Sequence, residues 1–419
     1  MHSSWLAPFQ VRTFRFQWPA ALITVWALEM ETLILGWYVL VQTGSVVQLT
    51  IFASFLYFGT LCAPLLGVVA DRIGHGNTLA LMRSWYMVLA TTLLAFAVSG
   101  QLSPGVVLVI AFLNGLVRPS DLAIRSAFMA GRLPRELLSG AMALERMTID
   151  TARIAGALVG AGLFAALGIA PTYVLIITLY ALGGSLTLAA KRGAPIVDAG
   201  AAAYPLSQKP RNAFWHELKE GLAYVWARPV LRAAMWLAVL ANLTGFPLTN
   251  GLLPYAAREV YQADERGLAL LVASFATGAL IGSLTFWAAS RRMPLARLML
   301  GGAAGWYAML AICALMPTIY GAAALLVLAG LAQSHCMIAM VVLILRAAAP
   351  VVAGRVMGVR ILAIYSLPMG ILAAGWFIER IGFSATIFGY ALVGLGMVLV
   401  LTLRFHADLW RVEAPANSI

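Results

Sequence analysis

Apolar stretches of about twenty residues, separated by short polar turns, recur along nearly the whole chain. They lie at residues 18–41, 46–70, 77–99, 104–128, 139–168, 171–190, 230–253, 267–289, 294–316, 319–345, 353–379 and 383–404. At a rise of about 1.5 Å per residue, each is long enough to cross the ~30 Å hydrocarbon core of a bilayer. The pattern predicts an all-α polytopic membrane protein with twelve transmembrane helices. Its longest polar interval, residues 191–229, divides them six and six. The expected organisation is an N-terminal six-helix bundle over 1–190, a linker over 191–229, a C-terminal six-helix bundle over 230–405 and a tail over 406–419. Within the linker, KRGAPIVDAGAAAYPLSQKP is rich in Gly, Ala and Pro. The following RNAFWHELKEGLAYVWARP mixes aromatic and charged residues as a helix lying along a membrane surface does, placed to tether the halves.

Composition agrees with this pattern. Of 419 residues, 62% are hydrophobic and 11% charged, with mean hydropathy +0.90, where soluble domains are about 45–50% apolar and ~25% charged. The net charge of +12 is a matter of topology. With the N-terminus inside, the connections at 71–76, 129–138, 191–229, 290–293 and 346–352 and the tail are all cytoplasmic and hold nearly all the loop Lys and Arg. The other side holds Arg258, Arg266 and Arg380. This positive-inside bias points to anionic inner-leaflet lipid as a partner rather than nucleic acid. Cys62, Cys313 and Cys336 fall inside spans and imply no disulfide framework. The first apolar run is too long for a cleaved signal and is expected to remain as the first helix. HExxH, Walker and GxSxG motifs are absent, and five histidines form no ligand-spaced cluster. The expectation is therefore no enzyme, no metal and no cofactor, with transport drawing on an ion gradient, a proton gradient first among them.

Charges inside the spans are the candidate chemistry. An acid near the bilayer centre costs about 2.5–3.5 kcal/mol on insertion scales, so Glu29 and Glu31 in ALEMETLI require a reason to be there. At about 100° per residue they lie about 160° apart around the helix and do not form a dyad. Glu31 aligns with Thr24 and is expected to face a cavity and titrate; Glu29, on the side of Thr32 and Gly36, is expected to be held by a neighbouring helix or basic residue, and the two roles are interchangeable. The fourth span carries Arg118, Asp121 and Arg125 on one face, and the fifth carries Glu145 together with Arg146, Asp150 and Arg153. Buried charges are usually paired, so these helices are expected to share an Arg–carboxylate network, with Asp150 near Arg118. Arg125, Arg146 and Asp121 suit gate or packing pairs near the cytoplasmic end, and Arg153 a place deeper in the transport path. His335 in LAQSHCMIA suits a proton relay or a ligand contact, while Gln333 faces elsewhere and Asn242 and Asn250 are further cavity candidates. Pro64, Pro119, Pro247 and Pro368, with Gly245 and Gly370, sit inside spans where kinks supply mobility.

The halves also resemble each other. Gly115 in FLNGLV and Gly330 in VLAGLA lie 215 residues apart, and Gly156 in RIAGAL and Gly370 in LPMGIL lie 214 apart. Constant offset suggests duplication, the trace of a secondary transporter with its substrate site near the midplane. Between the second and third spans, GVVADRIGHGNTL resembles the loop signature of the major facilitator superfamily through Gly67, Asp71, Arg72 and Gly74. His75 and Gly76 stand where that family usually has a basic pair. In this loop Gly67 suits a close helix approach, Asp71 a cap or pair at a helix end, and Gly74 a tight turn. The resemblance implies a cytoplasmic latch at Asp71 and Arg72. LPRELLSGAMALERMTIDTARIAGALVGAGL, LLPYAAREVY and AGRVMGVR look like the branch that includes enterobactin exporters and macrolide-efflux proteins. The functional expectation is proton-coupled export of a small amphipathic molecule by alternating access, from a monomer in a plasma membrane (a bacterial inner membrane) with both termini cytoplasmic. Symport or uniport uptake, and a non-transporting receptor, assembly or lipid-handling role, stay open beside it.

Overall fold

The computed structural model describes residues 7–192, 211–349 and 352–411. Among these residues the chain is helical throughout and contains no strand. It divides into two compact units, Met1–Gln208 and Lys209–Ile419. In the first unit α1 is Arg12–Thr43, and α2 is Val46–Phe58 continued by Ala63–Ile73. There follow α3 (His75–Val98), α4 (Pro104–Ala130), α5 (Arg135–Leu167) and α6 (Ile169–Lys191). The second unit opens with the short α7, Arg211–Ala227. Its spans are α8 (Pro229–Val260), α9 (Glu265–Arg292), α10 (Leu295–Ala314), α11 (Ile319–Ala347), α12 (Ala353–Leu362 and Ser366–Ile381) and α13 (Phe383–Arg411).

Among the described residues, eleven of these helices are long and apolar enough to cross a membrane. The twelfth predicted span, 46–70, is broken: a 3-10 turn at Gly59–Cys62 divides α2 just before Pro64. A proline removes an amide donor and crowds the preceding turn, so a tighter turn on its N-terminal side is the expected relief. The same happens at Ala363–Tyr365, ahead of Pro368. In α8, Pro247 lies between π-helical turns at Ala241–Gly245 and Leu248–Leu252, and a third π turn follows at Ala256–Val260.

Each unit is built the same way. In the first, α1 packs on α5 and α6, α4 packs on α2 and α3, and α3 packs on α6. In the second, α8 packs on α12 and α13, α11 on α9 and α10, and α10 on α13. The paired glycines explain this repetition sterically. A Cβ on Gly115 would lie 1.8 Å from the Phe55 carbonyl oxygen of α2, and one on Gly330 would lie 2.2 Å from the Phe275 carbonyl oxygen of α9. Likewise a Cβ on Gly156 would meet Glu29 Cβ of α1 at 2.9 Å, and one on Gly370 would meet the Leu243 carbonyl oxygen of α8 at 2.1 Å. Each unit therefore closes two equivalent helix crossings on a residue with no side chain, as small-residue packing in membranes requires.

One local expectation needs correction. Gly67 does not mediate a close approach, since nothing lies within 4 Å of where its Cβ would be. That face of α2 is open, and the tight contact on this helix is made earlier, at Gly59 against the Gly115 and Leu116 carbonyls. Gly74, by contrast, has φ +88°, a conformation that side chains disfavour, and turns the chain from α2 into α3. The amphipathic α7 docks within its own unit. Glu220 pairs with Arg355 of α12 at 2.7 Å, the Tyr224 hydroxyl accepts from the Ala349 amide, and Arg228 donates to the Ala347 carbonyl. Leu222 and Trp226 remain exposed on its other side. The linker segment before it, 193–210, lies outside the described residues.

Candidate functional site

The chemistry of the first unit starts from the middle of α1. Glu29 and Glu31 occupy separate environments because two successive odd positions fall on nearly opposite faces of a helix. Glu29 faces α4 and α5. Its carboxylate receives Arg118 Nη2 of α4 at 3.1 Å and lies 3.6 Å from Arg153 Nε of α5. Arg118 also donates to the Thr32 hydroxyl at 2.5 Å, one turn further along α1. One carboxylate thus bridges two guanidiniums, and Gly156 lets α5 approach closely enough to complete the clamp.

Glu31 is the deeper of the two, 2% exposed against 15% for the Glu29 side chain. It points between α4 and α6, where the Tyr180 hydroxyl donates to Oε2 at 2.8 Å and the Asn114 amide donates at 3.2 Å. Tyr173 lies beside the same carboxyl and interacts with it, and Oε1 has no further protein partner. No guanidinium of a described residue lies within ion-pair distance of Glu31, although Arg118 acts on it from further away. The expectation that Glu31 faces an open cavity is therefore corrected: Tyr180, Asn114 and Tyr173 enclose it inside the bundle. The more accessible acid is Glu29.

Toward the Ala130 end of α4 there is a second charged set. Arg125, 1% exposed, lies 2.8 Å from Glu145 of α5 through Nε and 3.7 Å from Asp121 through Nη1. Ser126 donates to the other oxygen of Glu145 at 3.3 Å. Arg83 of α3 is fully buried and donates to Thr24 of α1 at 3.2 Å. Asp121 is an electrostatic neighbour of Arg83. The side chains of Arg146 and Asp150 lie outside the described residues, so the expected Asp150–Arg118 approach is not among these contacts.

Arg83, Asn114, Tyr86, Tyr173 and Tyr180 were not among the residues singled out from the sequence. Arg83 is a formal charge inside an apolar run, a signal of the same kind as Glu29. Asn114 belongs to the stripe Asn114, Arg118, Asp121 and Arg125, spaced i, i+4, i+7 and i+11 on α4. Tyr173 and Tyr180 are one heptad apart and share a face of α6.

The remaining candidates sit elsewhere. Asp71 lies 3.7 Å from His75 at the start of α3, and Arg72 is exposed beside it. In the second unit His335 Nδ1 is bonded to the Leu331 carbonyl of its own helix at 2.9 Å, and its ring lies near Phe286. Asn242 donates to the Ala238 carbonyl within the first π turn of α8. Gln333 is buried in α11. Among the described residues no three His, Cys, Asp or Glu side chains converge as metal ligands would.

A sequence profile described as the Major Facilitator Superfamily matches residues 18–367. The chain belongs to the major facilitator superfamily. It is accordingly a multi-pass membrane transporter and not an enzyme. No curated protein matches it in sequence. Solved structures share the superfamily's fold at low identity. An auto-inhibited POT family peptide transporter superposes with TM-score 0.72 at 13% identity, covering 97% of this chain and 98% of that one. The nucleoside transporter NupG, as a D323A mutant, gives 0.66 at 15% identity over 94% and 99%. A D-xylose–proton symporter gives 0.70 at 12% identity over 93% and 96%. The superfamily assignment covers both charged sets of the first unit, since Glu29 through Arg153 fall inside the matched segment.

Proposed function

We propose that this transporter is a secondary active carrier that exports a small amphipathic molecule in exchange for protons, in the manner of the siderophore- and macrolide-exporting branch it resembles. The proposal includes a monomeric protein in a bacterial inner membrane with both termini cytoplasmic, in keeping with the charge distribution of its loops. It runs without a bound cofactor, on the proton gradient. The observation that carries it is the division of labour between two acids two residues apart. Glu29 is an anion clamped by Arg118 and Arg153. Glu31 is held by neutral donors, with one carboxyl oxygen unused. A carboxyl in such a setting can be occupied by a proton or vacated without breaking an ion pair, which is what a proton carrier requires. The Glu29 clamp supplies the complementary element: its two guanidiniums and one carboxylate can be drawn apart by a polar group of the cargo. Asp121, Arg125 and Glu145 hold α4 and α5 together toward the end expected to be cytoplasmic, and Asp71 and Arg72 act as the latch at that end. Asp150, Arg146, His335 and Asn242 complete the set of residues proposed to line the path or its gates.

The test begins with a thermal-shift screen of siderophores, antibiotics, lipids and amino acids, where a ligand at 100 times its Kd stabilises by about 2.7 kcal/mol. Transport of the best ligand in proteoliposomes should then respond to an imposed pH gradient. Glu31→Gln should abolish that response while still binding the ligand. Full pH-driven transport in Glu31→Gln would overturn the assignment of the proton to this residue, and accumulation rather than depletion in cells would overturn export.

A further inference from the structure

Several buried polar atoms on α1, α3, α4 and α6 of the first unit make no hydrogen bond to the protein. They are Glu31 Oε1, Asn114 Oδ1, the hydroxyls of Tyr173, Tyr86 and Ser120, Asp121 Oδ1 and Arg83 Nη2. Buried polar groups are normally satisfied, and a run of them is the signature of internal water, each molecule making about three hydrogen bonds. Tyr86 occupies the junction. Its side chain is fully buried, its ring lies 5.6 Å from that of Tyr180, and its hydroxyl interacts electrostatically with Asp121, Arg118, Arg83 and Glu31. Tyr180 in turn is bonded to Glu31. At the far end Asp121 is tied through Arg125 to Glu145.

We propose that protons move between Glu31 and the Ala130 end of α4 through the interior of the first unit, along a water-bridged column formed by Tyr180, Tyr86, Asp121 and Glu145. The route spans about 16 Å, the length of α4 from Asn114 to Arg125 at ~1.5 Å per residue. It rests on the reading of Glu31 as the proton carrier and adds the path by which that proton leaves. The proton on the Glu31 carboxyl passes to a bound water. Each water or hydroxyl in line then accepts one proton and releases another, returning to its starting state, until a proton reaches the Asp121 or Glu145 carboxylate. No group is oxidised or reduced. The charged and titratable groups facing this column are Arg118, Asp121 and Arg125 from α4, Arg83 and Tyr86 from α3, Glu145 from α5, and Tyr173 and Tyr180 from α6. Because the column runs inside one bundle, proton exchange need not wait for the cargo to vacate its own path.

The experiment is a pH-jump infrared measurement on the full chain in liposomes, following the carboxyl band that Glu31→Gln removes. Tyr86→Phe deletes only a hydroxyl with no protein partner, so the variant should fold with unchanged thermal stability. Ser120→Ala and Asp121→Asn provide second and third interruptions. The Glu31 band should respond about tenfold more slowly in Tyr86→Phe than in the parent, as the loss of one relay hydrogen bond at the barrier implies. An unslowed band in both Tyr86→Phe and Asp121→Asn would overturn the column and leave Glu31 as the carrier. The absence of any pH-dependent band removed by Glu31→Gln would overturn the carrier and the column together.

Discussion

Replacing Glu29 by Gln leaves Arg118 and Arg153 facing each other with no anion between them. The Arg118 and Arg153 nitrogens stand 3.1 Å and 3.6 Å from the carboxylate. At an effective dielectric of about 20, each such pair is worth about 5 kcal/mol before desolvation and screening. Solvent reaches 22% of the Arg118 side chain and 32% of the Arg153 side chain, so much of that is lost. The cost therefore settles at about 1–3 kcal/mol, between the exposed and the fully buried limits. Glu31→Gln has a different arithmetic. The amide oxygen still accepts from Tyr180 and Asn114, no cation is stranded, and the loss should stay below about 1 kcal/mol. Thermal unfolding of the full chain, in one detergent and at one pH, ranks the two variants. A cycle combining Glu29→Gln with Arg118→Gln should return a coupling of about 1–2 kcal/mol. A greater loss from Glu31→Gln than from Glu29→Gln, or a coupling indistinguishable from zero, would refute the assignment of anion clamp and neutral-donor site.

Gly115→Ala and Gly330→Ala should each destabilise by about 1–3 kcal/mol or prevent insertion, because the new methyl overlaps a carbonyl of the facing helix. Gly67→Ala, with nothing in its way, should be neutral or stabilise by up to about 1 kcal/mol through helix propensity, and the same unfolding measurement compares all three. Arg355→Glu should loosen α7 by about 0.2–1 kcal/mol, the range for an exposed pair, and the exchange Glu220→Arg with Arg355→Glu should restore it. Protease accessibility of α7 reports both changes.

Much of the fold was legible from hydrophobic periodicity, since a bilayer requires backbone polar groups to be satisfied within each crossing segment. The breaks were less so. Proline marks where a helix will be perturbed, but whether relief comes as a 3-10 turn, as at Gly59–Cys62, or as the π turns around Pro247 depends on the neighbouring helix. The clamp followed a similar course. Helical spacing separates Glu29 from Glu31 and puts Arg118 and Arg153 on other helices, while it leaves open which acid is the more exposed. One polar neighbour on α1, Thr24, suggested a cavity; Tyr180 and Asn114, brought from 149 and 83 residues away, close that side. Neither tyrosine nor asparagine is costly enough in a membrane helix to announce itself, and only the tertiary packing shows that three such groups, Tyr180, Asn114 and Tyr173, surround one carboxyl.

The two units make the point in another way. The repeat keeps the glycines at equivalent crossings, where an added methyl would meet the facing helix at 1.8 to 2.9 Å. It has not kept the charges. Among the described residues, the buried acidic and basic side chains, Glu31, Arg83, Asp121, Arg125 and Glu145, all belong to the first unit. The corresponding interior of the second unit is held by groups such as the Thr244–Tyr307 hydroxyl pair and Ser334 bonded to the Ala279 carbonyl. Steric constraint acts on every crossing, whereas a buried charge is tolerated only where its work offsets its desolvation. A chain that needed charges solely to hold its helices together would have had equal reason to place them in both halves. Their confinement to the first unit, among the described residues, therefore sets them apart from the glycine crossings, which recur in both.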